Sequence, residues 1–136
     1  MNLTARILYT LAALLQFAGA VAHGSAFPKA AAAINAANLT PFFAGSFKGL
    51  WMADAATMLV FGIFLTAIAL RFVAVNRAFN LLLAVIPLTV GAHIYFFVGP
   101  FYAAWLLFLT AGITAVAGFR TSPSRRTQSL SDCQRW

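Results

Sequence analysis

Residues 49–70 read GLWMADAATMLVFGIFLTAIAL, twenty-two positions holding one ionisable side chain, Asp54. A helix needs about 20 predominantly apolar residues to cross the hydrocarbon of a bilayer. This stretch therefore predicts a membrane-spanning helix, and it decides how the rest of the chain is read. Three more runs of the same kind flank it, at about residues 5–24, 79–98 and 101–119. Their interiors are Leu, Ala, Val, Phe and Ile, without the polar/apolar alternation of an outer-membrane barrel, so helices are expected. The fold class that follows is an all-α integral membrane protein, a four-transmembrane-helix antiparallel bundle. The first run is longer than the roughly 7–15 apolar residues of a signal peptide and is expected to stay as a span.

The composition agrees. Of 136 residues, 62% are hydrophobic and 8% charged, whereas soluble domains run near 25% charged. An ordinary soluble enzyme, a disordered chain and an acidic binding module are excluded. Cys133 is the single cysteine, which excludes a disulfide scaffold. The expected organisation is a membrane domain over residues 1–120 and a polar, basic tail over 121–136.

The net charge of +7 acquires its meaning from where the charges lie. Arg6 precedes the first run, Arg71 and Arg77 separate the second and third, and Arg120, Arg125, Arg126 and Arg135 follow the fourth. Lys29 and Lys48 occupy the stretch between the first two runs. By the positive-inside rule both termini are expected in the cytoplasm, in a multi-pass protein of the inner (plasma) membrane. These charges are juxtamembrane, so they read as topology signals and contacts to anionic lipid rather than as a nucleic-acid surface.

The segment from Ser25 to Lys48 is the one long link. Pro28 suits a first helical position, so a short interfacial helix is expected over Lys29–Asn38, ended by Pro41. Ile34, Leu39, Phe42 and Phe43 would then lie against the bilayer surface. Asn38-Leu39-Thr40 matches a glycosylation sequon, a pattern short enough to arise by chance. The link Arg71–Arg77 is short and Gly99-Pro100 is a tight turn, so spans two, three and four are expected as antiparallel neighbours. Small residues four apart (Ala18/Ala22, Ala20/Gly24, Ala111/Ala115) suit close helix approach. Pro87 is expected to kink the third span.

Function is sought where polarity is expensive. Asp54 is the only acid in a span, and His23 and His93 are the only histidines. The topology places all three near the same face of the membrane, on three different helices. Tyr9, Gln16 and His23 recur every seven residues as a polar stripe expected to face the interior. Trp51 and Tyr95 stand in the same aromatic-rich end, which also reads as an interfacial belt. Two imidazoles and a carboxylate are a recognised ligand set, so His23, Asp54 and His93 are candidate ligands of a metal ion. The same residues, with Trp51 and Tyr95, are candidates for holding a haem or a quinone, and Asp54 with His93 for a proton relay. A structural hydrogen bond that sets helix register is the plainest alternative.

No nucleophile–base spacing and no phosphate-binding loop occurs, so enzymatic activity is not the expectation. Three function classes remain. The first is a small non-catalytic accessory or structural subunit of a larger membrane complex, partnered by other membrane subunits or by its own copies. The second is a metal-, haem- or quinone-binding redox protein. The third is a small-solute or ion transporter acting as an oligomer. In plan alone (length, a longer first external link, short later links) the chain resembles small bacterial four-span proteins such as the DoxX-like group.

Overall fold

The structure, a computed structural model, describes residues 1–121 of the chain. Four helices follow one another: α1 Leu3–Ala36, α2 Pro41–Ala69, α3 Arg77–Val98 and α4 Tyr102–Arg120. Each is long and apolar enough to cross a membrane, and no strand occurs among the described residues. The chain is an all-helical membrane bundle. Cys133 and the other tail residues beyond position 121 lie outside the described part.

Local chemistry sets the boundaries. The Asn2 side chain accepts from the Ala5 amide and the Asn76 side chain from the Phe79 amide, capping α1 and α3. Pro41 opens α2, where its missing N–H has no partner to lose. Gly99 ends α3 at φ 97°, a backbone conformation that favours glycine, and the chain reverses directly into α4.

The separate interfacial helix expected over Lys29–Asn38 is not present. That segment is the last third of α1, which runs without a break through Pro28, and Pro41 begins a helix instead of ending one. Proline withholds one donor, the bond to the Gly24 carbonyl. That carbonyl lies at the edge of the apolar run, where water can satisfy it, and the alanines on both sides sustain the helix. At 1.5 Å per residue α1 is about 51 Å long, against a hydrocarbon core of about 30 Å. The first two helices therefore extend past the bilayer as a helical hairpin that turns at Ala37–Thr40.

Helix α1 is the centre of the packing. It lies against α2 on one side and α4 on the other, and α3 packs on α4. The order in cross-section is α2–α1–α4–α3. No Cα of α2 comes within 8 Å of a Cα of α3. Thus α3 is not the packed neighbour of α2 that chain order suggests, and side chains such as Phe64 and Phe79, ring centroids 6.2 Å apart, bridge the gap. The reason is steric. Ala5, Ala12, Ala13 and Gly19 on α1, with Ala104, Ala111, Ala117 and Gly118 on α4, are buried small residues that let backbones approach. Between α2 and α3 stand large side chains: Phe61 and Ile86 line the space between them, and Phe64 meets Phe79. The expected pair Ala18/Ala22 faces outward instead. A cluster of buried residues that includes Tyr9, Ala12, Leu65, Ile68, Leu83 and Ala117 fills the half of the bundle nearer the N-terminus.

The α3–α4 contact is close enough to be tested. A Cβ added at Gly118 would lie 2.7 Å from the Asn80 Cβ, so the backbones themselves must separate. Gly118→Ala is expected to destabilise the bundle by about 1–3 kcal/mol, the usual range for overpacking. Gly112, with nothing within 4 Å, is the control: Gly112→Ala should leave stability equal or raised. Thermal unfolding of both variants in a mild detergent checks the pair, and equal midpoints would contradict the packing.

Candidate functional site

The polar stripe of α1 faces the interior. Tyr9 and Gln16 are fully buried, and His23 is partly buried at the end of the stripe. Two heptads carry one face of α1 down the middle of the bundle, because 3.6 residues per turn drift little over that length.

At the hairpin-facing end of the stripe, α2 meets His23 with two residues one turn apart. The Trp51 indole stacks on the imidazole, centroids 4.3 Å apart and planes 17° off parallel. Its Nε1–H donates to the His23 backbone carbonyl at 2.9 Å. Asp54 Oδ2 lies 3.5 Å from His23 Nε2, with the two side chains 32% and 21% exposed. That separation is ionic proximity rather than a made hydrogen bond, and the buried Nε2 has no hydrogen-bond partner. The imidazole is held in place by stacking and leaves one ring nitrogen facing a carboxylate.

A crevice opens below this pair, between α2 and α3. Asp54, Thr57 and Phe61 wall one side, Ile86 and Pro87 the other, with Gln16 and Leu107 at its floor. Its volume of about 20 Å³ is room for one water molecule, not for a haem or a quinone ring. Two polar corners meet there, the Asp54 carboxylate and the Gln16 amide. Gln16 Nε2 donates to Thr110 Oγ1 at 3.2 Å, and Thr110 donates on to the Leu106 carbonyl.

His93 stands apart from these residues. It is exposed on α3 beside Phe96 and Phe97. Its Nδ1 lies 2.8 Å from the Thr89 carbonyl, which accepts from it. Among the described residues no three His, Cys, Asp or Glu side chains are close enough to hold one metal ion. The structure thus brings His23, Asp54 and Trp51 together and leaves His93 outside the set. Similar depth on three helices does not bring the three together, because α3 is displaced from α2 and depth carries no information about lateral position. Tyr95 also lies elsewhere, in a cluster with Trp105 and Phe108 that joins α3 to α4.

Three further polar residues are buried: Asn80, Thr110 and Thr114. Asn80 Oδ1, Thr114 Oγ1 and the Tyr9 hydroxyl have no hydrogen-bond partner. The available signal was Asn80 itself, an amide inside an apolar run, where polarity is costly and faces the bundle. Comparison of the chain with family models, curated proteins and solved structures finds no match.

A double-mutant cycle separates the two histidines. His23→Ala with Asp54→Ala should show a coupling of about 0.5 kcal/mol or more, as residues in contact do. His93→Ala with Asp54→Ala should be additive within about 0.5 kcal/mol. Unfolding free energies of the five variants and the parent in the same detergent supply the measurement.

Proposed function

We propose that the chain is a small non-catalytic membrane subunit, an accessory or structural part of a larger membrane complex, in which a helix of a neighbouring chain closes the seam between α2 and α3. One observation carries this reading. The seam leaves polar groups uncovered within the apolar length of α2: the Asp54 side chain is 32% exposed, and Thr57, one turn further in, is exposed as well. A carboxylate meeting hydrocarbon costs several kcal/mol near mid-bilayer and less toward the interface. A neighbouring helix offering a hydroxyl or amide at the level of Asp54 removes that cost. Helix association inside a bilayer draws on such packing and interhelical hydrogen bonds.

A second reading, a proton-handling or redox protein, draws on the His23–Asp54 contact, in which a titratable imidazole meets the carboxylate beside a water-sized space. A bound metal ion in this reading would use His23 and Asp54 first.

Gentle solubilisation separates the readings. A photo-crosslinking residue at Thr57, on the seam, is expected to link to a different membrane chain that co-purifies in fixed proportion. A crosslink to a second copy of this chain would replace the complex by a homo-oligomer. Stoichiometric metal, lost in His23→Ala, would favour the redox reading. A crosslink-free, cofactor-free monomer would overturn both.

A further inference from the structure

The opposite end of the bundle carries the arginines of the described residues, Arg6, Arg71, Arg77 and Arg120. Helix α2 ends there in a hydrogen-bonded cap: the Arg71 amide donates to the Ile68 carbonyl at 3.0 Å and the Phe72 amide to the Ala67 carbonyl at 2.9 Å. This is the Schellman arrangement, whose left-handed position is usually glycine. Here that position is Arg71, at φ 68°. A residue with a Cβ in that conformation is strained relative to glycine, so the cap alone does not account for an arginine.

What the arginine supplies is a second guanidinium at the α1–α2 crossing. Arg71 reaches back to donate to the Met1 carbonyl at 3.0 Å, while Arg6 donates through Nε to the Ala69 carbonyl at 3.3 Å. Each is anchored by one nitrogen, its remaining N–H groups meet no partner among the described residues, and both side chains are exposed. Asp54 is the only acid among the described residues, and it lies 17 residues up α2 from Arg71, about 25 Å along the axis. That is far beyond ion-pair distance, so no described carboxylate pairs with either guanidinium. Beside it Leu3, Leu70 and Phe72 are exposed, Phe72 by 81%.

We propose that Arg6 and Arg71 form a seat for the phosphate of an anionic phospholipid, whose acyl chains lie along the apolar residues next to it. Two anchored guanidiniums match a phosphate through paired N–H donors. The adjoining apolar shelf favours a headgroup that carries chains over a free ion. The residues of the pair come from the two helices at the open end of the α1–α2 hairpin, so a bound headgroup also ties the two helices together. The seat is separate from the α2–α3 seam and does not depend on what covers it.

The decisive variant is Arg71→Gly, because it removes the guanidinium while relaxing the cap. The full-length protein in a neutral detergent is titrated with phosphatidylglycerol, with phosphatidylcholine and with inorganic phosphate, and thermal unfolding is followed in parallel. The expected result is tighter binding of phosphatidylglycerol than of phosphatidylcholine. That preference should fall about fivefold in the variant, the worth of one basic contact to an anionic headgroup, with an unfolding midpoint no lower than the parent's. Arg71→Gln, which retains a side chain at the cap, should lose the preference to the same extent and serves if the glycine variant does not fold. Equal binding of the two lipids by the parent protein, or an undiminished preference in the variants, would overturn the proposal. Inorganic phosphate binding as tightly as phosphatidylglycerol would assign the seat to a free phosphate and also overturn it.

Discussion

The bundle depends on close backbone approach along one face of α1. Inside a bilayer the hydrophobic effect gives helices little reason to associate, since lipid tails are as apolar as leucine, and small residues at the contact do the work through van der Waals packing. Ala5, Ala12, Ala13 and Gly19 provide that face. Because α1 accepts α2 and α4 together, it becomes the central element, and α3 is attached only through α4. The open seam between α2 and α3 is the direct consequence. The crevice beside Asp54 exists because large side chains span that seam where backbones do not.

The same helix carries the polar interior. Gln16 bonds to Thr110 across the α1–α4 contact, and His23 meets Asp54 and Trp51 across the α1–α2 contact. Both interactions sit on the tightly packed side of the molecule, where register is well defined. Asp54 is thereby divided between two surroundings. One flank of its carboxylate faces an imidazole, and the other faces the seam. This division makes the residue informative for function, because it is the point where the internal polar contacts reach the lipid-facing surface.

The two ends of the molecule differ in chemistry. At the hairpin end α1 and α2 project beyond the apolar length needed to span, with aromatic side chains gathered where α3 turns into α4. At the terminal end arginines crowd around the α2 cap, without a carboxylate among the described residues. An arginine in a left-handed cap position is a local cost set against what its guanidinium can bind.

Much of this was legible in the residues themselves. Long uninterrupted apolar runs leave a chain no soluble alternative, so four spans and an all-helical class followed from composition and length; the third and fourth helices begin and end within two residues of the expected limits. The seven-residue repeat of Tyr9, Gln16 and His23 located the interior face of α1, because helical periodicity converts spacing into direction. The scarcity of acids singled out Asp54. Tertiary structure alone decided which helices touch. Chain order and depth in the membrane are one-dimensional, and they grouped His93 with His23 and Asp54 at a common level. Only the lateral arrangement, governed by where small side chains permit contact, separates His93 from the pair. Pro28 shows the same limit in local form: a proline that could open a helix lies inside one, because a carbonyl it deprives of a donor can turn to water there, a matter of position that the order of residues does not carry.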